Sequence, residues 1–187
     1  MMRPRTTIIA ILCCGLIWGC VTRPRGILAE RPADSLLRGA VLARVFIFVS
    51  DDCPISNKYA PEIRRLHERY APQGVAFWMV HSDPSETRAE VADHDAQYHL
   101  DLPVYMDPDH AVARLAGAEL VPTATVFSAD GQLLYRGRID DRFAQIGSER
   151  PEPTVRDLQN ALEAVVNHRP VPVRFTRAVG CYIPSAR

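Results

Sequence analysis

The chain has 187 residues, of which 47% are hydrophobic and 24% are charged, so it has enough apolar material for one packed core. Lysine plus arginine and aspartate plus glutamate are balanced at 22 each, and the basic residues are scattered along the chain. Binding to a polyanion requires a concentrated basic surface, so this charge pattern excludes a nucleic-acid partner.

The first 20 residues have the organisation of an export signal. Two arginines precede an apolar run from Ile8 to Trp18, and Cys20 follows directly after a glycine. The five residues that end at Cys20 resemble the lipobox of bacterial lipoproteins, with Trp18 in place of the small or aliphatic residue that this motif prefers. We therefore expect an exported protein, periplasmic or anchored by a lipid on Cys20, that meets the membrane only through this segment. An uncleaved anchor is the alternative, although the apolar stretch is shorter than a usual spanning helix.

Three further regions follow the signal. Residues 21–40 contain proline and glycine without periodicity and are predicted to form a tether, residues 41–168 form the folded domain, and residues 169–187 form an extension. Hydrophobic periodicity in the domain predicts strands over 41–49, 75–81, 102–105, 123–128 and 132–138, and helices over 54–71, 84–99, 108–117 and 154–167. This order of elements predicts an α/β fold with a mixed central sheet flanked by helices.

Two local patterns support this order. Turn residues between Thr123–Phe127 and Leu133–Arg136 predict that these two runs form a hairpin. In the first predicted helix, Tyr59 and Ile63 begin an apolar stripe at helical spacing, which places Glu62 on the outer face. The helix should therefore pack against the sheet along one side.

Cys53 lies between the first predicted strand and the first predicted helix. The apolar run Val45–Val49 precedes it, and Pro54 suits the first helical position because its φ is fixed and it lacks an N–H group. Free backbone N–H groups and the helix dipole at this end favour a thiolate, with a pKa of roughly 3.5–7.5 instead of about 8.5. Cys53 is therefore predicted to be a nucleophile at neutral pH.

Cys181 is the other cysteine outside the N-terminal segment. It lies in the extension, after a proline-rich run over residues 170–175 that reads as an extended arm able to return over the domain. The two sulfurs can bond only if their Cα atoms come within about 7 Å. The sequence leaves three alternatives open for Cys181, namely a redox pair with Cys53, a structural disulfide, or an unpaired tail thiol.

The strand, the run Cys53-Pro54-Ile55-Ser56 and the helix, followed much later by Leu120-Val121-Pro122-Thr123, resemble the thioredoxin superfamily over residues 40–168. The resemblance implies a thioredoxin-like fold, with the extension as an added C-terminal arm. It implies that Pro122 is cis and lies against Cys53, and that Pro54, Val121, Pro122 and Thr123 contact the substrate, Val121 through its backbone. Ser56 occupies the place of the second thioredoxin cysteine. Release of a substrate therefore needs Cys181 or an external thiol.

The peroxiredoxin branch matches at one position and departs at two. Ser50 stands three residues before Cys53, where those enzymes keep a Thr or Ser that helps to position peroxide. Phe46 replaces their proline, and their arginine falls near Thr123 or Ala124, so the main support for peroxide polarisation is missing. The stretch from Cys53 to Glu62 is more similar to exported redoxin-type proteins of the alkyl hydroperoxide reductase and thiol-specific antioxidant group.

These resemblances imply a thiol-disulfide oxidoreductase of the cell envelope with Cys53 as the nucleophile, and Cys181 or an external thiol is expected to resolve the adduct. Its partners would be protein thiols or disulfides, or a thiol reductant, and it would need no cofactor. Three alternatives remain: a thiol peroxidase, a non-catalytic binding module, and copper handling of the Sco type through Cys53, Cys181 and His110.

Three polar residues are candidates to support the Cys53 thiolate, and five histidines have no assigned role. Ser56 and Ser50 are expected to support Cys53, together with Arg138, because Gly137 lets the backbone bend beside this arginine and bring it to the thiolate. The other histidines show no metal-ligand spacing, so no role and no metal site are assigned to them. They are His67, His81, His94, His99 and His168.

Overall fold

The computed structural model describes residues 36–185, so the predicted signal, Cys20 and most of the predicted tether lie outside the described residues. The helices are α1 Pro54–Tyr70, α2 Arg88–Tyr98, α3 Ala111–Ala116 and α4 Asp157–Val166, and a 3-10 turn, Ala71–Gln73, follows α1. The strands are β1 Ala43–Val49, β2 Val75–His81, β3 Val104–Met106, β4 Leu120–Val121, β5 Thr123–Ser128, β6 Leu133–Gly137, β7 Phe143–Gln145, β8 Ser148–Glu149 and β9 Cys181–Tyr182.

Five of these strands form one mixed sheet in the order β3-β2-β1-β5-β6. β1 runs parallel to β2 and antiparallel to β5, and β5 turns back into β6 as the predicted hairpin. β1 is buried along its whole length, which is typical of a central strand covered on both faces. The predicted α/β fold with a mixed sheet is confirmed. No helix within residues 36–185 combines the length and apolarity required to span a bilayer.

The buried face of α1 agrees with the predicted stripe, with one exception. Tyr59 and Ile63 are buried, but Glu62, predicted to face outward, is only 8% exposed. Its carboxylate accepts hydrogen bonds from Arg65 at 2.7 and 2.6 Å and lies 3.4 Å from an Arg156 nitrogen. A carboxylate can be buried at low cost when guanidinium groups replace its water, so the hydrophobic pattern alone placed it on the wrong face.

Two helices begin three to four residues later than the proline signals predicted. Before α2, Asp83 accepts the Ser85 N–H at 2.8 Å and forms a separate turn, so the helix starts only at Arg88, after the cap Thr87, which exchanges hydrogen bonds with Glu90. Before α3, the Asp107 carboxylate accepts the N–H groups of Val112 and Ala113, which leaves residues 108–110 as a turn outside the helix. Side-chain acceptors thus delay each start.

α4 starts later than predicted for the same reason. The N–H groups of Thr154 and Val155 donate to the Asp141 carboxylate at 2.6 and 2.9 Å, which holds them outside the helix. The helix therefore begins at Asp157 instead of residue 154. Leu158 and Leu162 of this helix are fully buried and cover the sheet.

The C-terminal extension returns along the edge of the sheet. Arg136 in β6 donates its N–H to Arg174 and accepts from the Thr176 N–H, at 2.9 and 3.0 Å, so the arm pairs with the edge strand. Gly137 permits this contact because a Cβ there would lie 2.0 Å from the Thr176 hydroxyl. Beyond this anchor the chain crosses to β4, where β9 forms a two-stranded antiparallel ladder. The arm therefore carries Cys181 back onto the domain.

The reciprocal hydrogen bonds at the start of α2 give a direct test of the fold. Replacing Thr87 by alanine removes the acceptor for the Glu90 N–H, and we expect the free energy of unfolding to fall by about 1 kcal/mol. Thr87→Ser keeps the hydroxyl and should retain most of the stability. Urea denaturation of both variants measures the difference, and equal losses would show that the hydroxyl does not cap this helix.

Candidate active site

Cys53 caps the first helix, as predicted. It has extended backbone angles, φ −87° and ψ 107°, its carbonyl accepts the Asn57 N–H at 3.1 Å, and Pro54 takes the first helical position. β1 ends four residues earlier, at Val49. The strand fixes where the loop begins and the helix fixes where it ends, so the sulfur is positioned by two rigid elements.

The distant proline segment lies against this thiol. The Val121–Pro122 peptide bond is cis, which confirms the conformation implied by the resemblance. The Val121 carbonyl oxygen lies 3.4 Å from Cys53 Sγ and accepts a hydrogen bond from the thiol when the thiol is neutral. Thr123 is buried at the start of β5, opposite Phe48 of β1. The pairing of β5 with β1 therefore carries the predicted substrate-contact residues Val121 and Pro122 to the nucleophile.

The tail completes the site. Cys181 Sγ lies 2.9 Å from Cys53 Sγ, and both residues are free thiols in the structure. β9 holds it there, with Cys181 opposite Val121 in the antiparallel ladder and the Ile183 N–H donating to the Glu119 carbonyl at 3.0 Å. The Val121 backbone, which the resemblance offers to a substrate, is thus paired with the chain's own tail. The tail thiol therefore lies beside Cys53 in this arrangement.

The surroundings of the two sulfurs shift their pKa values in opposite directions. Burial opposes ionisation of Cys53, but hydrogen bonds from the Cys181 thiol and from the backbone and hydroxyl of Ser56 outweigh it and hold the pKa of Cys53 below its ordinary value. For Cys181, burial and then the hydrogen bond and negative charge of Cys53 raise the pKa to about 11. Cys53 is therefore the more acidic thiol of the pair, and Cys181 is the hydrogen-bond donor between the two sulfurs.

The three supporting residues predicted from sequence have different positions. Ser56 is buried, its hydroxyl makes no geometrically regular hydrogen bond within residues 36–185, and its nearness to the Cys53 sulfur lowers the pKa of that thiol. Ser50 is also buried, and its carbonyl accepts the Cys53 N–H at 3.3 Å. Arg138 donates to Asp157 at 2.7 Å, so its guanidinium is committed to α4. The support for the thiolate comes from Ser56 and Cys181.

A buried polar network that the sequence analysis did not identify holds the loop before Cys53. The Glu86 carboxylate accepts the Asp51 N–H and contacts His81 Nδ1, each at 2.9 Å. Asn57 donates to the Asp51 carbonyl at 2.9 Å and contacts His94 Nε2 at 2.7 Å. Two side chains thus clamp the backbone of Asp51 from both sides, two residues before the nucleophile.

Strand register was the signal that could have revealed part of this network. His81 ends β2 and lies opposite Val49, the last residue of β1. Polar residues at the carboxyl ends of neighbouring parallel strands converge on one edge of a sheet, which is where Cys53 follows β1. A histidine at the end of an apolar strand therefore indicates proximity to the nucleophile, although the sequence showed no ligand spacing.

The arrangement of the histidines bears on the copper alternative. His110 Nε2 lies 2.8 Å from the Ser82 carbonyl and is engaged there. Among residues 36–185, no group of three or more His, Cys, Asp or Glu side chains is placed to hold a metal ion.

The surface beside the two thiols is apolar. A pocket of about 270 Å³ lies next to Cys181 and is lined mainly by apolar groups, with the ion pair of Lys58 and Glu149 at one side. Ile146, which also lines it, is 70% exposed, and Tyr182, which follows Cys181 in β9, is 79% exposed. Large exposed apolar side chains around a reactive group are typical of a surface that receives a protein segment.

The sequence of the chain is similar to those of known thiol proteins. Residues 34–136, more than half of the chain, match the AhpC/TSA family. Over 94 residues, the chain is 30% identical to the thiol-disulfide oxidoreductase YkuV of Bacillus subtilis (strain 168). The matched region covers 47% of this chain and 61% of that protein, so the chain spans less than two thirds of the length of this relative.

Solved structures share the fold. An uncharacterised conserved protein of Geobacillus kaustophilus superposes with a TM-score of 0.66 at 27% identity, over 78% of this chain and 79% of that one. A protein of Sinorhizobium meliloti 1021 gives 0.67 at 26% identity, over 76% and 79%. A thioredoxin-like protein solved in its oxidised form gives 0.56 at 19% identity, over 78% and 88%. The thioredoxin-like fold is therefore confirmed.

The hydrogen bond from Ser56 predicts a change in the acidity of Cys53. Ser56→Ala removes a donor to the thiolate, so the pKa of Cys53 should rise by about one unit. The ultraviolet absorbance of the thiolate, followed against pH with the other four cysteines replaced by serine, measures this pKa. Ser50→Ala is the matched control and should leave the pKa in place. An unchanged pKa in Ser56→Ala would show that the hydroxyl does not stabilise the thiolate.

Proposed function

The chain belongs to the AhpC/TSA family, and on this premise we propose that it is a thiol-disulfide oxidoreductase in which Cys53 attacks and Cys181 resolves. The observation that carries the proposal is the 2.9 Å distance between the two sulfurs, which are 128 residues apart in sequence. The unequal charge of the pair adds to it, because the thiolate is the attacking form of a thiol. The similarity to YkuV supports the same class of reaction.

The first step forms a mixed disulfide. The Cys53 thiolate attacks one sulfur of a substrate disulfide, a bond forms between Cys53 and that sulfur, and the substrate S–S bond breaks. The other substrate sulfur leaves as a thiolate and takes a proton from solvent. We propose that Pro54, Val121, Pro122 and Thr123 border the segment that carries the attacked sulfur, with Val121 contributing its backbone.

The second step releases the substrate. Cys53 no longer carries a charge once it is bonded to the substrate, so the repulsion that helps to keep Cys181 protonated disappears. Cys181 loses its proton and attacks Cys53 Sγ, the bond to the substrate breaks, and the second substrate thiolate leaves. The substrate has gained two electrons and the protein holds a Cys53–Cys181 disulfide.

A dithiol reductant returns this disulfide to two thiols, and the same steps in reverse oxidise a substrate dithiol. Sulfur alone supplies and accepts the electrons, so the proposal needs no cofactor. The partners are then proteins that carry reducible disulfides or oxidisable thiols, which suits the exposed apolar side chains of Ile146 and Tyr182 beside the pair.

Trapping tests this assignment. Cys181→Ser retains the nucleophile but cannot complete the second step, so it should accumulate mixed disulfides with substrate proteins, seen as bands that dithiothreitol removes on non-reducing gels. Cys53→Ser should form none and should lose nearly all exchange with an aromatic disulfide. A domain that only binds its partners would give no covalent adduct with either variant, and that outcome would overturn the proposal.

We propose further that the protein is exported and held at a membrane by an acylated Cys20. The support is the arrangement of residues 1–20, which lie outside the described residues. Mass mapping of the protein extracted from cells should find residues 1–19 removed and an acyl group on Cys20, and Cys20→Ser should move the protein from the membrane fraction to the soluble one. Recovery of an intact Met1 from the membrane fraction would favour an uncleaved anchor.

A further inference from the structure

Gly180 lies tightly against the backbone of the domain. A Cβ atom at this position would lie 1.8 Å from the Val121 carbonyl oxygen and 2.6 Å from its carbon, distances that real Cβ atoms do not show. The obstacle is backbone of the segment that also holds Pro122, which cannot move aside as the end of a long side chain can. Glycine is therefore the residue that lets β9 lie on β4 with Cys181 at Cys53.

The seated tail also encloses the nucleophile. Cys53 is 1% exposed, and Cys181 Sγ lies against it while the tail occupies the Val121 backbone. An outside disulfide cannot reach a sulfur that is covered in this way. The tail must therefore leave for Cys53 to attack a substrate, and it must return for Cys181 to release that substrate.

The attachment of the tail fits such a movement. The arm is anchored to β6 as far as Thr176, through backbone hydrogen bonds and the contact of its hydroxyl with Tyr135 at 2.7 Å. Beyond that anchor, β9 is two residues long, and Tyr182 is 79% exposed. A cavity of about 550 Å³ adjoins residues 177–180. The segment after Thr176 can swing while the rest of the arm stays in place.

We propose that Gly180 is a positioning residue that sets the balance between the seated and the released tail, and thereby the relative rates of the two thiol steps. The inference rests on the proposed function, because it assigns attack to Cys53 and release to Cys181. A side chain at position 180 unseats β9. It therefore exposes Cys53 and speeds attack at a pH high enough to ionise Cys53 without the Cys181 hydrogen bond, and it removes Cys181 from the mixed disulfide and slows release.

Opposite changes in the two steps are the signature of this role. The experiment uses the full-length chain with Cys13, Cys14 and Cys20 replaced by serine, so that Cys53 and Cys181 are the reacting thiols. Reduced protein is mixed with an equimolar aromatic disulfide whose two halves absorb as they leave, and mass spectrometry identifies the adduct. In Gly180→Ala, the first aromatic thiolate should be released faster than in the parent, and the second at least about tenfold more slowly. The mixed disulfide of Cys53 with the reagent should therefore accumulate.

Two controls separate this effect from general damage. Gly39→Ala adds the same methyl group where nothing lies within 4 Å, but the φ of +117° strains an alanine there, so this variant controls for a general loss of stability and should leave both rates unchanged. Added dithiothreitol should release the Gly180→Ala adduct, which shows that Cys53 is bonded to the reagent in a reachable position. The thermal midpoint of Gly180→Ala should stay close to that of the parent, since β9 adds little to the core.

The outcomes distinguish the inference from the function on which it rests. If Cys181→Ser accumulates the adduct while Gly180→Ala reacts like the parent in both steps, the function stands and the role of Gly180 is wrong. If both rates fall together in Gly180→Ala, the residue serves stability alone and the inference is also overturned. If Cys181→Ser forms no adduct, the proposed function itself fails.

Discussion

The site depends on one short ladder, the pairing of β9 with β4 beside the cis Val121–Pro122 bond. The Val121 peptide serves both sulfurs at once: its carbonyl lies 3.4 Å from Cys53 Sγ, and its backbone holds the strand that carries Cys181. The same carbonyl sets how close the tail can come, because only a residue without a Cβ fits at Gly180. The distance between the two sulfurs, the acidity of Cys53 and the covering of Cys53 by the tail therefore all depend on the pairing of β9 with β4.

The ladder also explains how a buried thiol can be acidic. Burial favours the neutral form of both sulfurs, and an isolated thiolate in this position would be costly. Seating Cys181 at 2.9 Å supplies a donor at the point where the negative charge of Cys53 needs one, and Ser56 supplies another. Cys181 lowers the pKa of Cys53 and Cys53 raises the pKa of Cys181, so the two sulfurs share one proton. The tail that hides the nucleophile is part of what activates it.

The sequence predicted what depends on long or local patterns. The five main strands follow from hydrophobic runs, and Cys53 at a helix start follows from its neighbours Val49 and Pro54. The β4–β9 pairing was not predictable, because two-residue strands carry no periodicity and their partners are set by how the arm folds. Arg138 shows the same limit: a charged run does not reveal which carboxylate each guanidinium will meet, and Asp157 comes from a distant helix.

Under the proposed function the resolving thiol lies in the tail and not at position 56, which changes the energetics of the pair. A disulfide between neighbouring positions closes a loop of about four residues, which restricts the unfolded chain by roughly 2 kcal/mol, whereas a Cys53–Cys181 bond would restrict it by about 5 kcal/mol. By linkage, the fold favours the longer disulfide over the same bond in the unfolded chain by that amount, since it already holds the sulfurs together. Ser56 meanwhile remains available to stabilise the thiolate. Under the proposed function, Ser56 supports the attack and the tail controls release, two tasks that a local pair of cysteines would have to combine.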